Sequence, residues 1–227
     1  MARKITKKEI EQPDSFQATV NKISTYVSEN RKKIYLISGV ITSIILISIG
    51  WYLYRMNYEN NAQKLYAKAQ LAGMKSTMQG ANPEQSILKL YQDVITQYPG
   101  STAAMMSHYQ MGGIYYNIGD IDASMKAYME FIREASGGSD LKVMAYNGLG
   151  YCYEMKKDWK NALESYEKAS GSKTGGSFEG ITYRNIARIH EEMNNREKAL
   201  EYYQKALSIT TDPLMELFLK RKISTTS

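Results

Sequence analysis

The sequence contains very few of the residues that form disulfides and metal sites. It has one cysteine, Cys152, and two histidines among its 227 residues. A single cysteine cannot form an intramolecular disulfide, and a zinc site needs several cysteine or histidine ligands at short spacing. We therefore expect no metal site and no disulfide framework. Since free cysteine usually packs as a small apolar side chain, we predict that Cys152 is buried.

The motifs of the common catalytic sites are also absent. The chain has no HExxH, GxSxG, GxGxxG or Walker A pattern. Its histidines, His108 and His190, fall in different repeats, and His190 has the register of a buried, hydrogen-bonded core residue. The sequence predicts a protein that is not an enzyme and uses no cofactor or small-molecule substrate. An enzyme with dispersed active residues stays open, and it would need a deep polar pocket with perturbed ionisable groups.

Positive charge is concentrated at the N-terminal end. The formal net charge is +6, yet residues 1–33 carry eight Lys or Arg against four Asp or Glu, and residues 56–227 carry twenty against nineteen. The balanced part offers no basic patch to accompany its tyrosines, which argues against a nucleic-acid partner. Residues 1–33 are therefore interpreted as a basic arm.

A single long apolar run follows this arm. Residues 34–54 contain no charge, and twenty-one residues at about 1.5 Å rise per residue span roughly the 30 Å of a hydrocarbon core. Trp51, Tyr52 and Tyr54 are typical of an interfacial belt, and they occupy the end where a signal peptide would carry small residues. We predict an uncleaved transmembrane helix rather than a signal peptide.

Lysine and arginine are more numerous before this run than after it. Lys22 and the basic residues at 31–33 precede it with four others nearer the N-terminus, whereas Arg55, Lys64 and Lys68 follow it. The positive-inside rule places residues 1–33 in the cytoplasm and residues 55–227 outside it, which in a Gram-negative cell is the periplasm. We predict a single-pass protein of the bacterial inner membrane, in contact with membrane lipid.

Two features of the N-terminal part each have an alternative explanation. Apolar residues recur at helical spacing in the arm: Phe16, Val20, Ile23 and Val27. They predict a short amphipathic helix, either on the cytoplasmic leaflet or within a solvated arm. In the apolar run, Gly39, Ser43 and Gly50 lie near one face and form a candidate helix-packing face, although such residues are ordinary in transmembrane helices.

The rest of the chain repeats with a period of 37 or 38 residues. One helix of each repeat begins with a small or aliphatic residue, at Ile87, Ser124, Ala162 and Ala199. A tyrosine follows four positions later in every case, at Tyr91, Tyr128, Tyr166 and Tyr203. Helices of a second type, starting at Tyr109, Tyr146 and Tyr183, precede the last three and end in polar turns. Such a repeat predicts an all-α solenoid of paired helices.

The small and aromatic positions resemble those of the tetratricopeptide repeat. They are Gly112, Tyr115, Gly119 and Tyr128 in one unit, Leu149, Gly150, Tyr153, Ala162, Tyr166 and Ala169 in the next, and Ala187, Ala199, Tyr203 and Ala206 in the last. Gly or Ala lets two helices approach closely, and Tyr fills the groove beside the small residue. The resemblance implies about eight repeat helices within residues 55–227, with a degenerate first pair.

A further helix is expected to close the solenoid at its C-terminal end. Asp212 is a candidate N-cap, and Pro213 suits the first helical position because it needs no backbone N–H there. We expect Leu214, Leu217 and Phe218 to cover the last repeat.

In the tetratricopeptide fold the first helix of each pair lines a concave groove. By register, the resemblance implies a protein-binding groove formed by Tyr109, Tyr116, Asn117, Asn147, Tyr151, Glu154, Arg184, Arg188 and Glu191. Aromatic and amide groups at one end, with charges at the other, suit an extended or partly unfolded polypeptide. The alternative is that these residues are solvated helix faces without a ligand.

The overall arrangement resembles the ancillary SecYEG translocon subunit family. The similarity lies in the basic arm, the single anchor, the repeat domain and three segments: NRKK from Asn30, WYLYR from Trp51 and DPLMELFLKRKI from Asp212. It implies a translocon-associated interaction module that holds or hands over exported polypeptides, with the SecYEG translocon or periplasmic chaperones as partners. The alternative is a structural scaffold of another envelope or secretion assembly, with one fixed, folded partner.

Overall fold

The computed structural model describes residues 15–79, 83–136, 140–171 and 178–226. Residues 1–14 of the predicted arm, and most of the loops predicted at 137–139 and 170–177, lie outside the described residues. The chain divides into two compact units, residues 1–56 and residues 57–227.

The first unit is helical in its described part. Helix α1 spans Ser15–Glu29, and helix α2 spans Arg31–Gln79 and so continues past the unit boundary. The four apolar residues predicted to form one face of the arm helix lie in α1 and are exposed. In α2, all side chains from Tyr35 to Tyr54 are exposed as well. Among the described residues, α2 is the one helix long and apolar enough to cross a membrane by length and composition.

The second unit is an α-solenoid of paired helices. After α2, its helices are α3 (Glu84–Gln97), α4 (Thr102–Asn117), α5 (Ile121–Glu134), α6 (Asp140–Met155), α7 (Trp159–Ser170), α8 (Glu179–Glu192), α9 (Arg196–Ile209) and α10 (Pro213–Thr226). The end of α2 pairs with α3, since Tyr66 and Tyr91 pack with their ring centroids 5.6 Å apart. The remaining pairs are α4–α5, α6–α7 and α8–α9. The all-α repeat architecture predicted from the sequence is confirmed.

Short polar turns join the two helices within a pair. The second helices begin with side-chain caps in which Asp120, Asp158 and Asn195 accept backbone N–H groups three residues ahead. Just before these caps the backbone turns through the left-handed region, at Gly119 (φ 82°), Lys157 (φ 57°) and, with φ 59°, at Asn194. Glycine and asparagine tolerate this conformation well. Each turn therefore ends one helix and starts the next within a few residues.

Tyrosine fills the space beside small residues in the core of the solenoid. A Cβ added to Gly112 would lie 2.7 Å from Tyr128 Cε1, and one added to Gly148 would lie 2.6 Å from Tyr128 Cζ. At Gly150 the corresponding distance to Tyr166 Cε1 is 2.4 Å. No side chain larger than hydrogen fits without movement of these rings. The predicted close crossings are therefore present, and Gly148 on α6 places Tyr128 of α5 against the following unit.

Helix α10 closes the last pair with a different face from the one predicted. Leu219 is fully buried and packs with Met215 and Ile223 against the α8–α9 core. The three residues expected there are exposed instead, Leu214 by 79%, Leu217 by 68% and Phe218 by 41%. The expectation was wrong because α10 carries two apolar stripes at helical spacing, and the stripe at 215, 219 and 223 is the one that docks. The predicted cap is confirmed, since Leu214 N donates to Asp212 Oδ1 at 2.9 Å.

Candidate protein-binding face

The nine residues predicted to line a groove lie on α4, α6 and α8, the first helices of three successive pairs. We refer to these nine residues as the first-helix face. Asn117 is exposed, Asn147 is buried, and the other seven are partly buried. Several of them contact one another across neighbouring units, and these contacts give the face its order.

The N-terminal end of this face is neutral and aromatic. The Tyr109 ring packs 5.4 Å from Phe131, and its hydroxyl donates to Met144 Sδ at 3.8 Å. The Tyr116 ring lies 6.4 Å from the Tyr151 ring on the next first helix. Tyr109 is therefore partly a packing residue, whereas Tyr116 links two units along the face.

A cavity of about 460 Å³ adjoins this neutral end. It is lined by residues of α2, α3 and α4, namely Gln70, Gly73, Met74, Pro83, Glu84, Ile87, Tyr91, Gln110, Ile114 and Asn117. Close to it, Tyr66 Oη accepts hydrogen bonds from Gln70 Nε2 and Gln110 Nε2, each at 3.2 Å. The amide of Asn117 thus lies at the edge of a recess with both polar and apolar walls.

A buried amide network joins α6 to α8 in the middle of the face. Asn147 Nδ2 donates to Thr182 Oγ1 at 2.9 Å and to Val143 O at 3.0 Å. Asn185 Nδ2 donates to Asn147 Oδ1 at 3.0 Å and to Tyr151 Oη at 2.8 Å. Both the donors and the acceptor of Asn147 are engaged, so in this structure its amide is not available to a ligand. Its position holds two repeats in register instead.

A glutamate of α6 connects its own unit to the next one. Glu154 Oε1 accepts a hydrogen bond from Tyr166 Oη of the same pair and another from Arg188 of α8 at 2.7 Å. The Arg188 guanidinium also lies 5.9 Å from the centroid of the Tyr151 ring. Because cation and carboxylate belong to successive units, this contact crosses the boundary between repeats.

The same arrangement recurs one repeat later. Glu191 Oε2 accepts from Tyr203 Oη and from Lys222 Nζ of α10, both at 2.7 Å, and Glu191 Oε1 accepts from Thr226 Oγ1 at 3.2 Å. We call each set a Tyr–Glu–cation bridge: Tyr166, Glu154 and Arg188 form the first, and Tyr203, Glu191 and Lys222 form the second. The predicted charged end of the face is thus built from linked side chains.

The pKa shifts agree with these bridges. Burial, followed by the hydrogen bond to a carboxylate, raises the pKa of both Tyr166 and Tyr203. Burial would also raise the pKa of Glu191, but the hydrogen bonds and charge of Lys222 and the Tyr203 hydroxyl lower it overall. At neutral pH Tyr203 is therefore a hydroxyl donor to an ionised Glu191.

The histidine and cysteine predictions are met in part. His190 is buried and stacks on Tyr202 with ring centroids 5.8 Å apart, but its Nδ1 has no hydrogen-bond partner among the described residues. Cys152 is buried with its Sγ 3.2 Å from Ser124 Oγ, and burial raises the pKa of its thiol. No group of three or more His, Cys, Asp or Glu residues that could hold a metal ion occurs in the described part of the chain.

Three residues that organise the face were not identified from the sequence. Thr182 and Asn185 complete the amide network, and Lys222 completes the second bridge. Asn147 and Asn185 lie 38 residues apart, which is the period of the repeat, and this match could have indicated that they pair. Lys222 had no comparable signal, because it depends on how α10 docks.

The candidate helix-packing face of α2 lies on exposed residues. Ser43 Oγ donates to Gly39 O within the helix at 2.9 Å. Apart from the neighbouring residues and backbone of the same helix, no heavy atom of the described residues lies within 4 Å of a Cβ built on Gly39 or Gly50. These residues leave space for another helix, and their role in packing stays a prediction.

Comparison with known protein families identifies the repeats. Residues 107–136 and residues 144–212 each match tetratricopeptide-repeat families. No curated protein sequence matches the chain.

Solved structures share the fold at low sequence identity. A crystal structure of MamA is 18% identical, with a TM-score of 0.55, covering 67% of this chain and 80% of MamA. Another MamA structure is 17% identical, with a TM-score of 0.57 and coverage of 72% and 81%. PilF of Pseudomonas aeruginosa is 13% identical, with a TM-score of 0.57 and coverage of 73% and 70%. The chain therefore contains tetratricopeptide repeats arranged as an α-solenoid.

Proposed function

We propose that this protein is a membrane-anchored module that binds other proteins through its first-helix face. The tetratricopeptide fold itself supports protein–protein interaction, and no catalytic family is indicated. The observation that carries the proposal is the order of that face: Tyr116 and Tyr151 form an aromatic stretch, and Arg188 continues it as a cation. Tyrosine and arginine are enriched among the residues that dominate binding energy at interfaces.

Residues 34–54 of α2 are proposed as the anchor. Their exposed apolar side chains would be unfavourable in water over so long a helix, and a bilayer removes that cost. We propose that residues 1–33 lie in the cytoplasm and residues 55–227 in the periplasm, because more Lys and Arg precede the anchor than follow it. The expected location is a bacterial inner membrane.

The finer proposal is that the module holds or hands over exported polypeptides beside the SecYEG translocon. Its support is the similarity of the whole arrangement to the ancillary translocon subunits, together with a face that offers aromatic, amide and charged groups. An extended polypeptide carries apolar, amide and charged groups that can contact the corresponding groups of the face.

One observation favours the second candidate, a scaffold with one folded partner. The amide network and the two Tyr–Glu–cation bridges already fix many polar groups of the face. A surface that is preorganised in this way suits a single complementary partner, because little ordering entropy is lost on binding.

Photo-crosslinking from Asn117 tests the function and separates the two candidates. Asn117 is exposed beside the neutral end of the face, so a benzoyl-phenylalanine at this site should not disturb the core. A translocon-linked holding function should give many crosslinked nascent or exported chains in growing cells, and a scaffold should give one product. A matched crosslinker at exposed Met129, on a second helix, should give neither the many products of a holding function nor the single product of a scaffold. Equal products from both sites would contradict the use of the first-helix face.

The variant test removes binding without unfolding. Tyr116→Ala combined with Arg184→Ala should reduce crosslinks or co-purified partners while the helical signal and melting temperature are retained. Neither residue is fully buried, so truncation should have little effect on the fold. The matched control is Met129→Ala with Glu164→Ala on the second helices. Loss of partners from the control alone would refute the proposal.

A further inference from the structure

Helix α10 exposes an apolar stripe although its opposite side is docked. Leu214, Leu217 and Phe218 recur at i, i+3 and i+4, and Arg221 follows at i+7, so all four lie along one side of the helix. We call these four residues the α10 outer stripe. Leu219, Met215 and Ile223 form the docked side of this helix, so the three apolar members of the stripe are left exposed. Clustered exposed apolar residues are typical of interaction sites.

The stripe adjoins the first-helix face through a small recess. A cavity of about 290 Å³ is lined by Phe218, Arg221, Lys222 and Thr225. Lys222 bonds to Glu191, the last residue of the first-helix face, at 2.7 Å. The recess therefore lies where that face continues onto α10.

Some of the cations near the stripe are paired with carboxylates, and others are not. Lys220 is paired with Glu216 at 2.6 Å, and Lys222 is paired with Glu191. Arg221 is exposed and forms no ion pair with the described residues. On α8, Arg184 is bonded only to the neutral oxygens of Tyr151 and Asn185 in the described part of the chain. This end of the molecule thus offers two guanidinium groups, Arg184 and Arg221, that form no ion pair with a described carboxylate.

We propose that the α10 outer stripe is a docking site for an acidic, apolar segment of another protein. The aliphatic or aromatic side chains of that segment pack on Leu214, Leu217 and Phe218, and a Glu or Asp carboxylate pairs with Arg221. Arginine binds carboxylates through two parallel N–H donors, which adds geometric specificity. The proposal rests on the proposed function, and it adds the chemistry of the partner and a site outside the nine residues of the first-helix face.

Two other occupants fit the observations less well. A second copy of the chain, docked through the same stripe, would place Arg221 against Leu214 in an antiparallel arrangement or against the other Arg221 in a parallel one, and neither residue supplies a carboxylate. Binding to an anionic membrane surface gains about 1 kcal/mol per nearby Lys or Arg, and Arg221 and Arg184 are far fewer than the clusters of cations that bind such surfaces. A recess of side-chain size also suits a protruding residue better than a lipid surface.

The experiment uses the full chain in lipid nanodiscs and a phage library of random dodecapeptides. Selected peptides are expected to be enriched in Leu or Phe together with Glu or Asp. Fluorescence anisotropy of one selected peptide should show that Arg221→Gln weakens binding about tenfold, equivalent to about 1.4 kcal/mol. Arg221→Lys should recover part of the affinity, and Leu217→Ser with Phe218→Ser should remove binding. The control Lys220→Gln alters the cation paired with Glu216 and should leave affinity unchanged.

Several results would overturn the inference. They are peptides without carboxylate enrichment, affinity that is insensitive to Arg221→Gln, Phe218-dependent dimerisation, and Phe218-dependent binding to vesicles of phosphatidylglycerol and phosphatidylcholine. Melting curves exclude unfolding as the cause of lost binding, with Leu219→Ala as the destabilised reference. If peptide binding depends on Tyr116 and Arg184 but not on the stripe, this inference fails and the proposed function stands. If neither set of variants changes crosslinking or peptide binding, both fail.

Discussion

The α4–α5 and α6–α7 pairs hold the same repeat tyrosine by different means. Tyr128 lies between Gly112 and Gly148, where any added Cβ would clash with its ring, and its hydroxyl has no hydrogen-bond partner among the described residues. Tyr166 also lies against a glycine, but its hydroxyl donates to Glu154, which in turn binds a cation of the next unit. A close fit beside glycine fixes the position of the tyrosine ring in both pairs. Of these two tyrosines, only Tyr166 also donates to a carboxylate that binds a cation of the next unit.

The difference is traceable to one position of the repeat. Tyr116 occupies in the first of these units the place of Glu154 in the next, 38 residues later. An aromatic side chain there packs at a tilt against Tyr151, whereas a carboxylate accepts hydrogen bonds from the tyrosine hydroxyl and the cation. The neutral end of the first-helix face therefore lacks this linkage, whereas the carboxylate joins the side chains of the charged end in a network.

The largest expected effect tests the steric part of the comparison. Gly150→Leu should lower the free energy of unfolding by about 3 kcal/mol, the upper part of the range for overpacking. The reason is that Tyr166 is fully buried and its ring lies where the new side chain must go. Denaturant unfolding of the full chain in detergent, followed by circular dichroism, measures the change.

Gly113→Ala is the matched control for this position. The nearest atom to its added Cβ would be Tyr128 Oη at 3.7 Å, an ordinary contact. Alanine gains up to about 1 kcal/mol over glycine inside a helix, so this variant should be neutral or stabilising. A similar loss of stability at both glycines would contradict the close crossing at Gly150.

The next effect tests the electrostatic part. Glu154→Gln should cost about 2 kcal/mol, because hydrogen bonds to charged groups typically contribute about 1.5–3 kcal/mol and two of them are weakened. The control is Glu164→Gln, whose exposed pair with Lys168 is screened by solvent and should contribute much less to stability. Thermal melts of both variants at equal protein concentration give the comparison. Equal losses would mean that the bridge is no stronger than a surface ion pair.

A smaller effect separates the two tyrosines directly. Tyr166→Phe removes the hydroxyl that donates to Glu154 and should cost about 1 kcal/mol, whereas Tyr128→Phe removes a hydroxyl without a described partner and should change stability little. Both variants keep the ring that fills the space beside glycine. Urea midpoints measured side by side decide the point, and a larger loss for Tyr128→Phe would reverse the comparison.

The smallest expected effect is a pH dependence at the second bridge. The pKa of Glu191 in the folded chain lies below its ordinary value of 4.5, so its contribution to stability is fully present above that value. This contribution is lost as the pH falls through the lowered pKa, because the unfolded chain binds the proton more readily than the folded chain does. Melting temperatures from pH 7 down to pH 3 should therefore fall more steeply for the native sequence than for Glu191→Gln. Parallel curves would exclude a role for this carboxylate.

The parts of the fold that the sequence predicts well depend on contacts within one repeat. Glycine at 112 or 150 and tyrosine sixteen residues later form a local pair, so their spacing alone indicates a close helix crossing. The turns could be predicted equally well, because an Asp or Asn that can cap a helix follows each break in the apolar pattern.

The parts that the sequence could not predict depend on contacts between distant residues. Helix α10 has two apolar stripes, and the choice between Leu217 and Leu219 is made by the surface of α9 on which the helix docks. Asn147 was assigned to a ligand-facing position by register, yet Asn185 and Thr182 engage its amide. A helical pattern gives the direction of a side chain, and it does not say whether a neighbouring repeat already occupies that direction.

The position of Tyr128 has a consequence for how the solenoid unfolds. Its ring touches Gly112 on α4 and Gly148 on α6, so one side chain belongs to the interiors of two successive repeats. In a linear array, folding cooperativity depends on the coupling between nearest neighbours rather than on any central core. Tyr128 contributes to that coupling at the junction between the α4–α5 and α6–α7 pairs. Enlarging Gly148 should therefore split one cooperative transition into two, with the repeats on either side melting at separate temperatures.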